Sequence, residues 1–200
     1  MKGPMASIDD TDESLMRMIR KGSHQAFAVL VRRHTDRFFA SAFRMTRNAG
    51  EAEDMVQEAF LKIWQKPDPW KDDRGAKFTT WFYRILANQN VDRLRKSGKT
   101  TSDETVLSFV QDTRENPEQA TASHEEQQEV ERALDSLPER QKTALTLCFY
   151  EGMSNADAAD AMGVKVKALE SLLMRAKAGI KDYMNRNKAP LEKGGLYGTR

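Results

Sequence analysis

Cysteine is almost missing from this chain. Its single example among 200 residues, Cys148, leaves no internal disulfide and no cysteine zinc cluster, a usage that fits a reducing compartment. Within "TALTLCFYEG" the thiol reads as a small buried hydrophobe. Histidine is nearly as scarce: His24, His34 and His124 are the three, and no H-E-x-x-H pair, glycine-rich phosphate loop or nucleophile triad accompanies them. No enzymatic activity, metal or cofactor is therefore expected, and His24 and His34 are expected at the surface or boundary of a helix. Long apolar runs are lacking as well. No stretch approaches the roughly 20 residues of a spanning helix, and "MKGPMASIDDTDES" at the start has no apolar signal core. The expectation is a cytoplasmic protein without membrane insertion.

What is present is charged. Charged residues make up 31% against 39% hydrophobic, a hydrophobic share low enough to imply that part of the chain is linker or tail. The net charge of +2 hides a partition. Residues 1–97 carry 18 basic and 13 acidic side chains (+5), residues 98–129 carry 2 and 8 (−6), and residues 130–200 carry 12 and 9 (+3). Two basic blocks flank an acidic connector. Such blocks suit a phosphate backbone, which would repel the connector; solvated faces of ordinary helices would give the same totals.

Before Lys96 the apolar residues recur at helical spacing and nowhere alternate as in a half-buried strand. The pattern predicts helices near Glu13–Lys21, Ser23–Arg47, Gly50–Gln65 and Phe78–Lys96, with "KPDPWKDDRGAK" (66–77) a loop set by its prolines and glycine. Residues 98–124 are rich in Ser, Thr, Asp and Glu. Their one apolar knot, Val106, Leu107, Phe109 and Val110, is either a docking segment or a stray cluster in a linker. A second helical block runs from about Glu125 to Asn185. The expected architecture is all-α: two small helical domains, 13–97 and 125–186, joined by a flexible acidic linker over 98–124. A disordered tail at 1–12 and a fraying tail at 187–200 complete it.

Within the second domain, "SNADAADAMGVKVKALESLLMRA" (154–176) sets two helical patterns on either side of one glycine. Ser154 followed by Asp157 forms a capping box, with Met153 and Ala158 placed to staple the start. Gly163 supplies the left-handed backbone of a helix stop. The next helix is expected to bury Val166, Leu169, Leu172, Leu173, Ala176 and Ile180, leaving Lys167, Glu170, Ser171, Met174 and Arg175 outside, with Lys165 at the turn. Small residues Ala156, Ala158, Ala159 and Ala161 allow a close crossing. This is a helix-turn-helix whose second helix suits a DNA major groove, although a packed helical hairpin would share the pattern.

Two further faces stand out. On the helix from Gly50, Ala52, Val56, Ala59, Phe60 and Ile63 form a buried stripe. Asp54, Gln57, Glu58 and Leu61 form a second stripe that spends a leucine on an otherwise polar face, as a protein-docking surface would. On the helix from Phe78, the aromatic residues Phe78, Trp81 and Phe82 with Ile85 and Leu86 read as core rather than as a base-stacking platform. Thr80, Arg84 and Asn88 align on the other side, continued by Arg95, and such a set can hold phosphates and read an exposed base edge.

With these residues in view, "LPERQKTALTLCFYEGMSNADAADAMGVKVKALESLLMRAKAGIK" (137–181) resembles the promoter-binding fourth region of bacterial sigma-70 family initiation factors. "AEDMVQEAFLKIWQ" (52–65) and "KFTTWFYRILANQNVDRLRK" (77–96) look like the second region. Their order, with a short linker and no third domain between, is the layout of the extracytoplasmic-function (ECF) group. The resemblance implies that Asp54, Gln57, Glu58 and Leu61 grip core RNA polymerase. It implies that Thr80, Arg84, Asn88 and Arg95, with Lys77 and Trp70 of the preceding loop, capture the melted minus-ten strand near Asn88. It also implies that Lys165, Lys167, Glu170, Ser171, Met174 and Arg175 read the minus-thirty-five duplex, and that an anti-sigma factor restrains the protein until a stress signal arrives. A one-component helix-turn-helix regulator is the rival reading; it predicts a two-fold operator bound by the protein alone.

Overall fold

The computed structural model describes residues 6–67, 77–98 and 124–187, and for residues 124–128 the backbone only. Trp70, the apolar knot at 106–110 and the tail at 188–200 lie outside the described residues. Among those described there is no strand.

Four helices build the N-terminal block: α1 (Asp12–Arg20), α2 (His24–Thr46), α3 (Ala49–Gln65) and α4 (Phe78–Lys96). Three of their starts follow from local chemistry. Thr11, Ser23 and Asn48 each turn a side-chain oxygen onto the backbone N–H three residues on, at 3.2 Å, which satisfies a donor that a helix start leaves unpaired. α2 ends at Arg47, whose φ of 54° is a left-handed conformation few side-chain-bearing residues adopt. The chain then turns directly into α3.

The core of this block is aromatic. Phe38 of α2 lies flat on Phe82 of α4, with ring centroids 3.7 Å apart and 4° between planes. Tyr83 meets Phe38 edge-on at 5.3 Å, and Phe60 of α3 stands 4.8 Å from Phe82. Such pairs add about 0.5–1.5 kcal/mol each beyond the area they bury. Phe78, Phe82 and Leu86 are buried as expected, while Trp81 and Ile85 are half-buried and Tyr83 joins the core. His34 departs from expectation: it is buried, not at a boundary. Its Nε2 lies 2.8 Å from Asp12 Oδ2 and its ring stacks on Phe38 at 5.2 Å, because α1 folds back over α2 and Arg33 takes the other Asp12 oxygen at 2.7 Å. Residues 6–11, inside the stretch expected to be a disordered tail, are held by the same contact. Arg33 donates to the Ile8 carbonyl at 2.6 Å and Gln25 to that of Ala6 at 3.2 Å.

The C-terminal block comprises α5 (His124–Asp135), α6 (Glu139–Leu145), a π-turn at Thr146–Tyr150, α7 (Asn155–Met162) and α8 (Val166–Asn187). These helices occupy the block expected from about Glu125 to Asn185, divided by turns. Pro138, lacking an N–H, opens α6; Gly152 (φ 67°) and Gly163 (φ 62°) make the two later turns. In the π-turn the Glu151 N–H reaches back five residues to the Thr146 carbonyl at 3.0 Å. The wider turn leaves Phe149 and Tyr150 exposed and Cys148 half-buried, and burial pushes the Cys148 thiol up to about 11. The two blocks pack together: α7 lies along α4, while α6 and the π-turn rest on α2.

Candidate nucleic-acid and polymerase surfaces

α3 separates its two stripes cleanly. Ala52, Met55, Val56, Ala59, Phe60 and Ile63 are buried against the block, and Asp54, Gln57, Glu58 and Leu61 are all exposed. Leu61 stands 52% open between acids and amides. Water gains nothing from a leucine there, so the side chain is free to gain from a partner. Glu58 accepts a hydrogen bond from Gln89 of α4 at 3.2 Å, which ties the stripe to the neighbouring helix.

On α4, Asn88 and Arg95 are exposed, Thr80 and Arg84 are half-buried, and Lys77 is exposed at the helix start. Arg84 is paired rather than free. Its Nη2 donates to Asp157 Oδ1 at 2.8 Å and its Nη1 lies 3.2 Å from Asp160 Oδ2, both on α7. A further polar pair on this helix escaped the sequence. Asn90 is fully buried and donates to Thr143 Oγ1 of α6 at 2.8 Å; Arg93 donates to Asn90 Oδ1 at 2.9 Å. The signal was there, since Asn90 stands on the row of Leu86 and Leu94, and a buried amide on an apolar row must find partners.

The helix-turn-helix forms as its sequence predicts. Ser154 Oγ accepts the Asp157 N–H at 3.1 Å. At the other end the Gly163 N–H bonds to the Asp160 carbonyl at 3.1 Å and the Val164 N–H to that of Ala159 at 3.0 Å, the paired bonds of a Schellman stop. α8 buries Leu169, Leu172, Leu173 and Ala176, with Ile180 half-buried; Val166 is 41% exposed rather than buried, because it occupies the first helical position, before the packed stripe begins. Ala156 likewise faces outward, while Ala158, Ala159 and Ala161 form the crossing. Lys167, Glu170 and Met174 are exposed on one side of α8, and Lys165 is exposed at the turn before it. Ser171 and Arg175 are half-buried, with the Arg175 guanidinium 3.3 Å from Ser171 Oγ.

Residues 30–100 match the family model described as Sigma-70 region 2, and residues 127–178 match that described as Sigma-70, region 4. The chain is also similar to the ECF RNA polymerase sigma-E factor of Escherichia coli, 31% identical over 179 residues that span 85% of this chain and 92% of that one. It belongs to the sigma-70 family, in the ECF group. A second relative, the ECF RNA polymerase sigma factor SigE of Mycolicibacterium smegmatis, is 28% identical over 162 residues, 80% of this chain and 62% of that longer protein. In fold, the ECF chain resembles the sigma factor RpoE in its complex with the anti-sigma factor NepR from Bartonella quintana. The TM-score is 0.57 at 24% identity, covering 81% of this chain and 98% of that one. As a sigma factor it confers promoter-directed initiation on RNA polymerase and catalyses no reaction of its own.

Proposed function

We propose a division of labour among three faces of this sigma factor. Asp54, Gln57, Glu58 and Leu61 dock region 2 on core polymerase. Thr80, Arg84, Asn88 and Arg95, with Lys77 and Trp70, hold the melted minus-ten strand, recovering by contacts to the strand the few kcal/mol that unstacking a base costs. Lys165, Lys167, Glu170, Ser171, Met174 and Arg175 lie in the major groove of the minus-thirty-five duplex, where Glu170 accepts from a cytosine amino group and the cations meet phosphates. Region 2 spans 13–97, the linker 98–124 and region 4 125–186. The protein works in the cytoplasm, and an anti-sigma factor restrains it, as in the complex formed by the Bartonella relative. No helix among the described residues is long and apolar enough to cross a membrane.

The exposed leucine on the acid and amide face of α3 carries the docking assignment. Asp54→Lys tests it: the variant should keep its helical circular dichroism and lose at least tenfold in affinity for core polymerase in a pull-down or fluorescence titration. Unchanged affinity would remove α3 from the docking surface.

A further inference from the structure

Among the large apolar side chains that the described residues leave open, two share one row of α8. Val166 is 41% exposed and Met174 53%. Glu170 stands between them at four-residue spacing, so the three fall on a single ridge of the helix. The ridge beside it carries Lys167, Ser171 and Arg175. Lys167 is exposed, and Arg175 is directed along its ridge by hydrogen bonds from Nη2 to Ser171 Oγ and from Nε to the Ser171 carbonyl, each 3.3 Å long. One ridge is thus apolar, acidic, apolar, and its neighbour basic, polar, basic. Both lie outside the stripe of Leu169, Leu172 and Ala176 that packs α8 into the block.

The two ridges suit different parts of a duplex. A carboxylate is repelled by phosphates, whereas Lys167 and Arg175 are attracted to them. The acidic ridge therefore turns toward the floor of the major groove and the basic ridge toward a strand at its edge. Glu170 makes no ion pair among the described residues, so its oxygens are available to a donor. In the major groove the base donors are the amino groups of cytosine and adenine, and the adenine amino group lies beside an N7 acceptor that a carboxylate would repel. The apolar groups on the same floor are the thymine methyls. Water surrounds much of Val166 and Met174 in the free protein, and each gains by burying against a methyl. Spacing sets the register: residues four apart are separated by about 6 Å along a helix axis, close to two base-pair steps of about 3.4 Å.

We propose that α8 reads a cytosine set between two methyl-bearing base pairs in the minus-thirty-five element. Glu170 accepts from the cytosine amino group, and Val166 and Met174 each cover a thymine methyl, on either strand, about two base-pair steps to one side and the other. The proposal rests on the assignment of α8 to that element, and it adds Val166, which the sequence alone places in the core. Discrimination then has two sources. A wrong base opposite Glu170 sets a carboxylate against an acceptor, and loss of a methyl leaves an apolar side chain without cover.

The experiment uses holoenzyme assembled from the full chain and core polymerase. A library of randomised promoter duplexes is selected on it, and the enriched upstream element is resynthesised with each thymine in turn replaced by deoxyuridine, which lacks only the methyl group. The element should contain a cytosine with thymine positions about two steps away on both sides. Removing either methyl should weaken binding about fourfold, the worth of one buried methyl group. Val166→Ala should abolish the penalty at one of these positions and Met174→Ala at the other, each leaving its counterpart intact. Glu170→Gln should shift the selected cytosine to adenine. All three side chains are exposed, and the circular dichroism of each variant should match wild type. Penalties that are absent, or that persist in both alanine variants while Glu170→Gln still changes the selected base, overturn the methyl contacts and keep α8 as the reader. If none of the three substitutions alters selection or affinity, the assignment of α8 to the element fails and the proposal with it.

Discussion

At the scale of single residues, the Asp12 carboxylate shows how a charge is made to hold a helix in place. Burial pushes its pKa up, but the hydrogen bonds and charges of His34 and Arg33 prevail and hold it below the usual carboxylate range. A carboxyl whose pKa is lowered by folding contributes stability at pH values above its unfolded pKa. The contribution fades as pH falls through the lower folded value. Asp12→Asn should therefore lower stability by about 1–2 kcal/mol at neutral pH. The gap between wild type and variant should close as the solution is acidified below about pH 4, read from urea midpoints across pH. A gap that persisted at pH 2 would mean that packing rather than charge supplies the difference. The sequence placed His34 on α2 without indicating this contact, because its partner lies 22 positions away. Leu61 was legible because an apolar side chain on a polar stripe is anomalous within a few residues of itself.

At the scale of elements, helix starts and stops were written locally and could be read. The capping oxygen of Ser154 and the left-handed Gly163 appear where the sequence puts them. Gly163→Ala should raise the cost of that turn by about 1–2 kcal/mol through backbone strain alone, since no atom lies within 4 Å of an added Cβ. The expected readouts are a lower melting temperature and a weaker minus-thirty-five footprint by the holoenzyme, with affinity for core polymerase unchanged. A wild-type footprint would show that α8 keeps its orientation without that turn. The π-turn at 146–150 was not legible, for a physical reason: a hydrogen bond one residue longer needs no special side chain. Its consequence is visible only in the structure, where it sets Phe149 and Tyr150 outward and Glu151 inward.

At the scale of the whole molecule, the charge partition identified two basic blocks and an acidic joint, and the order of motifs gave the ECF layout. The way the blocks meet was hidden. Which arginine meets which carboxylate depends on surfaces brought together across 46 to 114 positions of chain, and composition is blind to that pairing. The positions concerned are ordinary surface charges in the sequence. Asp157 reads as a capping residue and Arg84 as a phosphate ligand; the structure shows the first in the bond from the Asp157 N–H to Ser154 Oγ, and pairs Arg84 with Asp157 and Asp160.

The most direct test of the central claim is run-off transcription by bacterial core polymerase supplied with this chain and a random promoter library. The account predicts promoter-directed transcripts that depend on the chain and disappear with Asp54→Lys. Arg175→Ala should weaken upstream selection while leaving the holoenzyme assembled. No association of the purified chain with core polymerase and no promoter-directed transcript would contradict it, as would loss of holoenzyme assembly on Arg175→Ala.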